Sequence, residues 1–193
     1  MTQFEISLLS LEKQLKAMKA PILKKLKPGI DLSKPINGIP QLSDDVKSLY
    51  QWKNGTTITP GDSLGSLWFF NFGVFISFDQ AVKTYNTLAG KEDYFDKNKF
   101  PIFESGGGEI YVIECDPSSA NYGAIYYHSF SDVDDEILTK KYDSLISLID
   151  TIHDCFVHRA YKYENKVLVT NHDLQREIAH RNNPKSDYWK PES

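Results

Sequence analysis

Cysteine is scarce in this chain. Only Cys115 and Cys155 are present, too few to staple a disulfide scaffold, and both read as small buried apolar residues rather than as two halves of a bridge. No uninterrupted run of about 18 apolar residues occurs, so an ordinary bilayer-spanning helix is excluded. Residues 1–10 carry an acid and no base, the reverse of the opening of a secretory leader. The expectation is a cytoplasmic protein without a membrane anchor, in which the triplet Asn54-Gly55-Thr56 carries no glycan.

A further shortage is local. Residues 104–139 contain no Lys or Arg but eight acids: Glu104, Glu109, Glu114, Asp116, Asp132, Asp134, Asp135 and Glu136. Residues 1–40 lean the other way, with seven Lys against three acids. Gathered on one face, the carboxylate block would repel nucleic acid and attract a basic protein; spread out, it would be only a solvated surface.

The remainder is ordinary for one globular domain. In 193 residues, 40% are hydrophobic, 25% charged and 13% aromatic, the last leaning towards a fold that contains a sheet. No linker, repeat or low-complexity tract divides the chain. Leu8, Leu9, Leu11, Leu15 and Met18 have helical spacing over residues 4–20, with Pro21 as the stop and a short further turn to Lys27. Residues 28–42 read as a Pro- and Gly-rich loop. Ser43 then caps a helix of about three turns whose face is Val46, Leu49, Tyr50 and Lys53, and Asn54-Gly55 is expected to close it as a left-handed cap. Short strand pieces follow at Leu67–Phe70 and Val74–Phe78, and then a helix opened by Ser77 with Gln80 and closed by Gly90. Residues 91–99 read as a charged loop.

Phe100–Glu104 and Glu109–Cys115 flank a glycine turn and alternate as antiparallel strands, with Gly123–Phe130 as a third. Residues 131–136 form an acidic connection. From Asp143 the period is again helical to about Tyr161, and an extended piece or hairpin follows around Glu164-Asn165. A last helix is capped at Asn171 or Asp173, and the tail from Lys185 is expected to fray.

Possible chemistry is sparse. In HDCFVHR, Cys155 and His158 share a helical side, but two ligands are too few for a metal site. Cys115 and His128 could form a thiol–imidazole pair only if the fold joined them, and the apolar neighbours of Cys115 would blunt its thiolate. GGGE at 106–109 leads into a strand and lacks the Lys-Ser of a phosphate loop. SDVDDE at 131–136 has oxygen density but not the glycine and distal Glu of a calcium loop. The residues imply no catalytic group, cofactor or metal, and no nucleic-acid partner.

Several pieces together carry a resemblance: Leu49-Tyr50-Gln51-Trp52-Lys53-Asn54-Gly55, Phe100-Pro101-Ile102-Phe103, Gly106-Gly107-Gly108-Glu109, the strand Ile110–Asp116, Gly123-Ala124-Ile125-Tyr126, and the helix from Asp143. In this order they resemble the SUKH superfamily, which includes fungal regulators of cell-wall assembly and bacterial immunity proteins that neutralise polymorphic toxins. The resemblance spans about residues 40–160. It implies an α+β fold, an antiparallel or mixed central sheet packed by several helices, within a single domain over 1–193 that adds an N-terminal helix and a C-terminal helical extension. It also implies a non-catalytic protein whose partner is a toxin domain of nuclease or deaminase type, or, in the fungal branch, a regulatory partner. Joined to the acidic block, it points to Asp132, Asp134, Asp135 and Glu136 as partner contacts, with Glu104, Glu114 and the aromatic Trp68 beside them.

Overall fold

Thr2 and Glu5 start the chain's first helix, α1 (Gln3–Ala17), with a capping box. The Glu5 amide donates to Thr2 Oγ1 at 3.2 Å, and the Thr2 amide donates to Glu5 Oε2 at 2.8 Å. Phe4, Leu8, Leu11 and Leu15 are buried, whereas Leu9 and Met18, assigned to the same face from sequence, are exposed. The buried stripe keeps the strict spacing of three and four that Phe4 sets, and Leu9 falls off it. The structure is a computed structural model and describes residues 1–34, 36–89, 95–129 and 137–191.

The turn after α1 is a 3-10 turn over Pro21–Lys24 and stops short of Lys27. The chain straightens there because β1 (Leu26–Pro28) pairs antiparallel with β2 (Lys53–Thr56). Between them lies α2 (Asp44–Trp52), where Ser43 Oγ accepts the Val46 amide at 3.3 Å and Val46, Leu49 and Tyr50 are buried. The expected left-handed cap at Asn54-Gly55 is replaced by a direct entry into β2, for Lys53 is already extended at φ −147°, ψ 148°. The pair serves another helix. Asn54 Oδ1 accepts the amide of Phe78 at 2.8 Å, the first residue of a helix over Phe78–Ala89. Gly55 has φ +79°, and a Cβ on it would run into the backbone of Ser77.

The sheet is antiparallel and five-stranded: β3 (Val74–Phe75), β4 (Lys99–Glu104), β5 (Ile110–Glu114), β6 (Ile125–Ser129) and β7 (Ile137–Tyr142), in that order. β4, β5 and β6 are the three strands expected from alternation, and β7 adds a strand that the sequence reading had not assigned. The Leu67–Phe70 strand is not formed. A short helix, α3 (Leu64–Leu67), precedes a tight turn in which only Phe70 and Gly73 bridge. β5 is buried along its whole length, because elements cover both sides of the sheet.

The Phe78–Ala89 helix, α4, packs on β4, while α5 (Leu145–Val157) packs on α1 and on α6 (His172–Asn182). Ser144 caps α5 reciprocally with Ser147, and Asn171 caps α6 through the Leu174 amide at 3.2 Å. Between α5 and α6 the expected hairpin is present as β8 (Tyr161–Glu164) and β9 (Val167–Thr170). A single hydrophobic cluster runs from Phe4 to Trp189.

The tail is anchored rather than frayed. Asn183 is fully buried and its Nδ2 donates to Thr151 Oγ1 at 3.0 Å, Ser186 Oγ donates to the Lys140 carbonyl at 2.8 Å, and Trp189 Nε1 donates to the Lys141 carbonyl at 2.5 Å. Two of these bonds reach the outward backbone of β7, an edge strand with unpaired carbonyls to satisfy.

Candidate functional site

Among the described residues, the acids singled out from the sequence do not converge. Asp132, Asp134, Asp135 and Glu136, with the SDVDDE segment and Gly90, lie outside the described residues. Glu104 and Glu114 sit at opposite ends of the β4–β5 ladder, since Glu104 pairs with Ile110 and Glu114 with Lys99. Glu114 is 6% exposed, its carboxylate pairs with Lys99 Nζ at 2.9 Å, and it also accepts the Asp116 amide at 3.0 Å. That charge is spent inside the fold, against its assignment to a solvent-facing patch. Glu104 is half-buried, and burial raises its pKa above the ordinary carboxylate range.

Trp68, at the end of α3, is half-buried; its Nε1 has no hydrogen-bond partner among the described residues, and its ring meets Phe72 edge-on at 4.9 Å. Phe72 is the more accessible aromatic, 48% exposed at φ +59° in the Phe70–Gly73 turn. A bulky residue at positive φ is uncommon, and Phe72 is held there by the bridge between its neighbours.

The enzyme-like pairs separate as well. His128 pairs with Ile110, so Cys115, an odd number of residues further along β5, belongs to the other side of the sheet and lies roughly 16 Å along it. Burial pushes the Cys115 thiol up to about 12, which leaves little thiolate at neutral pH. Cys155 is likewise free, buried and pushed up to about 12, while His158 beyond it is exposed. Among the described residues no three His, Cys, Asp or Glu side chains come together as a metal site, and no helix is long and apolar enough to cross a membrane. The GGGE segment is the closed turn of the β4–β5 hairpin, with the Ser105 amide donating to the Glu109 carbonyl at 2.9 Å.

A different constellation forms where β7, α6 and the C-terminal turn meet. Lys141 is 9% exposed and has three rings around its ammonium: Tyr188, Tyr127 and Trp189, with centroids at 2.9, 5.0 and 5.7 Å. Burial, with a contribution from the Arg176 guanidinium, pulls its pKa down to about 7. Lys141 lines a cavity of about 150 Å³ together with Arg176, His172, Asn71, Tyr188 and Phe72, and none of the cavity's lining residues is acidic. Its polar wall is braced: Asn71 Nδ2 donates to Gln175 Oε1 at 3.2 Å, and Gln175 Nε2 donates to Tyr161 Oη at 2.9 Å. Arg176 holds the tail by donating to the Lys190 carbonyl at 3.2 Å.

The sequence does not reveal this site, because its parts come from distant segments and nothing in the spacing around Lys140-Lys141 sets it apart from an ordinary charged pair. One sign was present. Tyr188 and Trp189 are two aromatics within an otherwise polar ending, a pattern suited to anchoring rather than fraying.

A five-stranded antiparallel sheet packed by helices defines an α+β domain. The chain belongs to the SMI1 / KNR4 family (SUKH-1), whose family model matches residues 39–151. That match takes in Phe72, Tyr127 and Lys141 and stops before His172, Arg176, Tyr188 and Trp189. No curated protein matches the chain.

Proposed function

We propose that the protein is a non-catalytic, intracellular toxin-immunity protein that binds a basic toxin domain and covers its substrate-binding surface. The observation that carries the reading is the segment 104–139, with eight acids and no base, in a chain of this family. A nuclease must display positive charge to hold its substrate, and an acidic protein surface can occupy that charge directly while steering rapid encounter. Asp132, Asp134, Asp135 and Glu136 are the contacts proposed, with Glu104 as a further contributor and Trp68 as the aromatic anchor; Glu114, engaged by Lys99, supports the strand instead.

The test is co-purification with the product of the neighbouring gene, followed by rescue of cells expressing that product. Binding and rescue are expected, and converting Asp132, Asp134, Asp135 and Glu136 to their amides should weaken binding by roughly tenfold or more and flatten its salt dependence. No binding and no rescue would reject the reading. Binding to an endogenous regulatory partner without rescue would instead place the protein with the regulatory branch of the family.

A further inference from the structure

Three features outside the acidic segment are built more deliberately than packing requires. Lys141 is a buried ammonium with no carboxylate partner among the described residues, enclosed by aromatic faces and aimed into a cavity. Among the cavity's other charged and polar groups, Arg176, His172 and Asn71 are donors or can act as donors. His172 and Arg176 come from the first turns of α6, a helix whose positive end lies nearby, and Asn71 from the Phe70–Gly73 turn. An ammonium left unpaired in such a place costs free energy that an arriving anion would recover.

We propose that this cavity is a binding site for a small oxyanion, the head of a phosphate or carboxylate ligand, held by Lys141 and Arg176 with His172 at the rim. At about 150 Å³ the space is enough for one such head. The apolar walls of Phe72, Tyr188 and Trp189 leave a planar or apolar body as the natural remainder of the ligand. Phe72 at the rim explains what its strained, exposed position is for: it forms one lip of the opening.

Among the described residues, titratable and charged groups surround Lys141 from three sides. From α6 they are Arg176 and His172, from the C-terminal turn Tyr188, and from the sheet Tyr111, Tyr127 and Tyr142. Asp187 and Asp143 are engaged elsewhere, by Lys190 at 2.6 Å and by Lys140 at 3.1 Å, while Glu109 accepts from Ser105 Oγ and acts electrostatically on Tyr111 and Tyr127. Because Lys141 must be protonated to hold an anion, and gains its proton less readily than a free lysine, anion binding should be coupled to proton uptake.

Titration of the full chain with inorganic phosphate and, separately, with benzoate, followed by NMR at the Trp189 indole and Arg176 guanidinium resonances, tests the site. Saturable shifts with at least one probe are expected, weakening by roughly tenfold or more between about pH 6 and about pH 9 as Lys141 loses its proton. Preference between the probes tells a phosphate head from a carboxylate. Lys141→Met should abolish the shifts, and Lys141→Arg, which keeps the charge, should restore binding. Absence of saturation with both probes, equal binding by a folded Lys141→Met, or affinity indifferent to pH would each overturn the proposal. The site is independent of the acidic segment, so failure of toxin binding would leave it standing.

Discussion

At the scale of single residues, Asn54 and Gly55 illustrate how a local motif can be read correctly in kind and wrongly in place. The pair has turn chemistry, and Gly55 does adopt a positive φ, yet Asn54 caps a helix that begins 24 residues later in the chain. Nothing in the spacing around Asn54 could announce that partner, since the contact depends on β2 lying beside the start of α4. Asn54→Ala should destabilise the protein by about 0.5–2 kcal/mol through loss of the cap. Gly55→Ala should cost more than about 1 kcal/mol, as it adds strain at positive φ and a clash with Ser77. Urea unfolding of both variants measures this, and a Gly55→Ala protein as stable as the parent would remove the close-approach explanation.

At the scale of elements, alternation and helical period were sufficient for β4, β5, β6 and for α1, α2, α4, α5 and α6, because each carries enough regular apolar positions to reveal its face, whereas the four-residue α3 carries too few. β7 escaped notice because Ile137–Tyr142 places two lysines in its middle and becomes a strand only by pairing with β6 and receiving the tail along its outer edge. The anchoring of that tail leads to an expected outcome. Removing residues 184–193 should strip Ser186 and Trp189 from β7, leave an unpaired edge, lower the melting temperature and promote self-association visible by size-exclusion chromatography. Trp189→Phe keeps the ring packing but loses the bond to the Lys141 carbonyl, and should give a milder loss of about 1 kcal/mol.

At the scale of the whole molecule, the fold class was legible, while the charge pattern was legible only as composition. Glu104 and Glu114 are neighbours in a list of acids but lie at opposite ends of a ladder, and Lys99, just outside the acid-rich window, neutralises one of them. Stability should depend on pH through Lys141. Its folded pKa of about 7 lies below the ordinary lysine value, so between the two the unfolded chain binds more protons and stability rises with pH across that window. Towards still higher pH the sign reverses, because burial raises Tyr142 and Tyr161 well above the ordinary phenol and the unfolded chain ionises first. Thermal unfolding followed from about pH 6 to about pH 9 should show the rise, and Lys141→Met should be flatter and more stable at the acid end.

The cavity around Lys141 is divided by the boundary of the family match, with the lysine and Phe72 on one side and Arg176, Tyr188 and Trp189 on the other. In relatives that lack the segment after α5, a lysine at this strand position would lose the Tyr188 and Trp189 rings, keep only the Tyr127 ring beside it and lie open to water. The lysine and the C-terminal aromatics should accordingly appear and disappear together across the family.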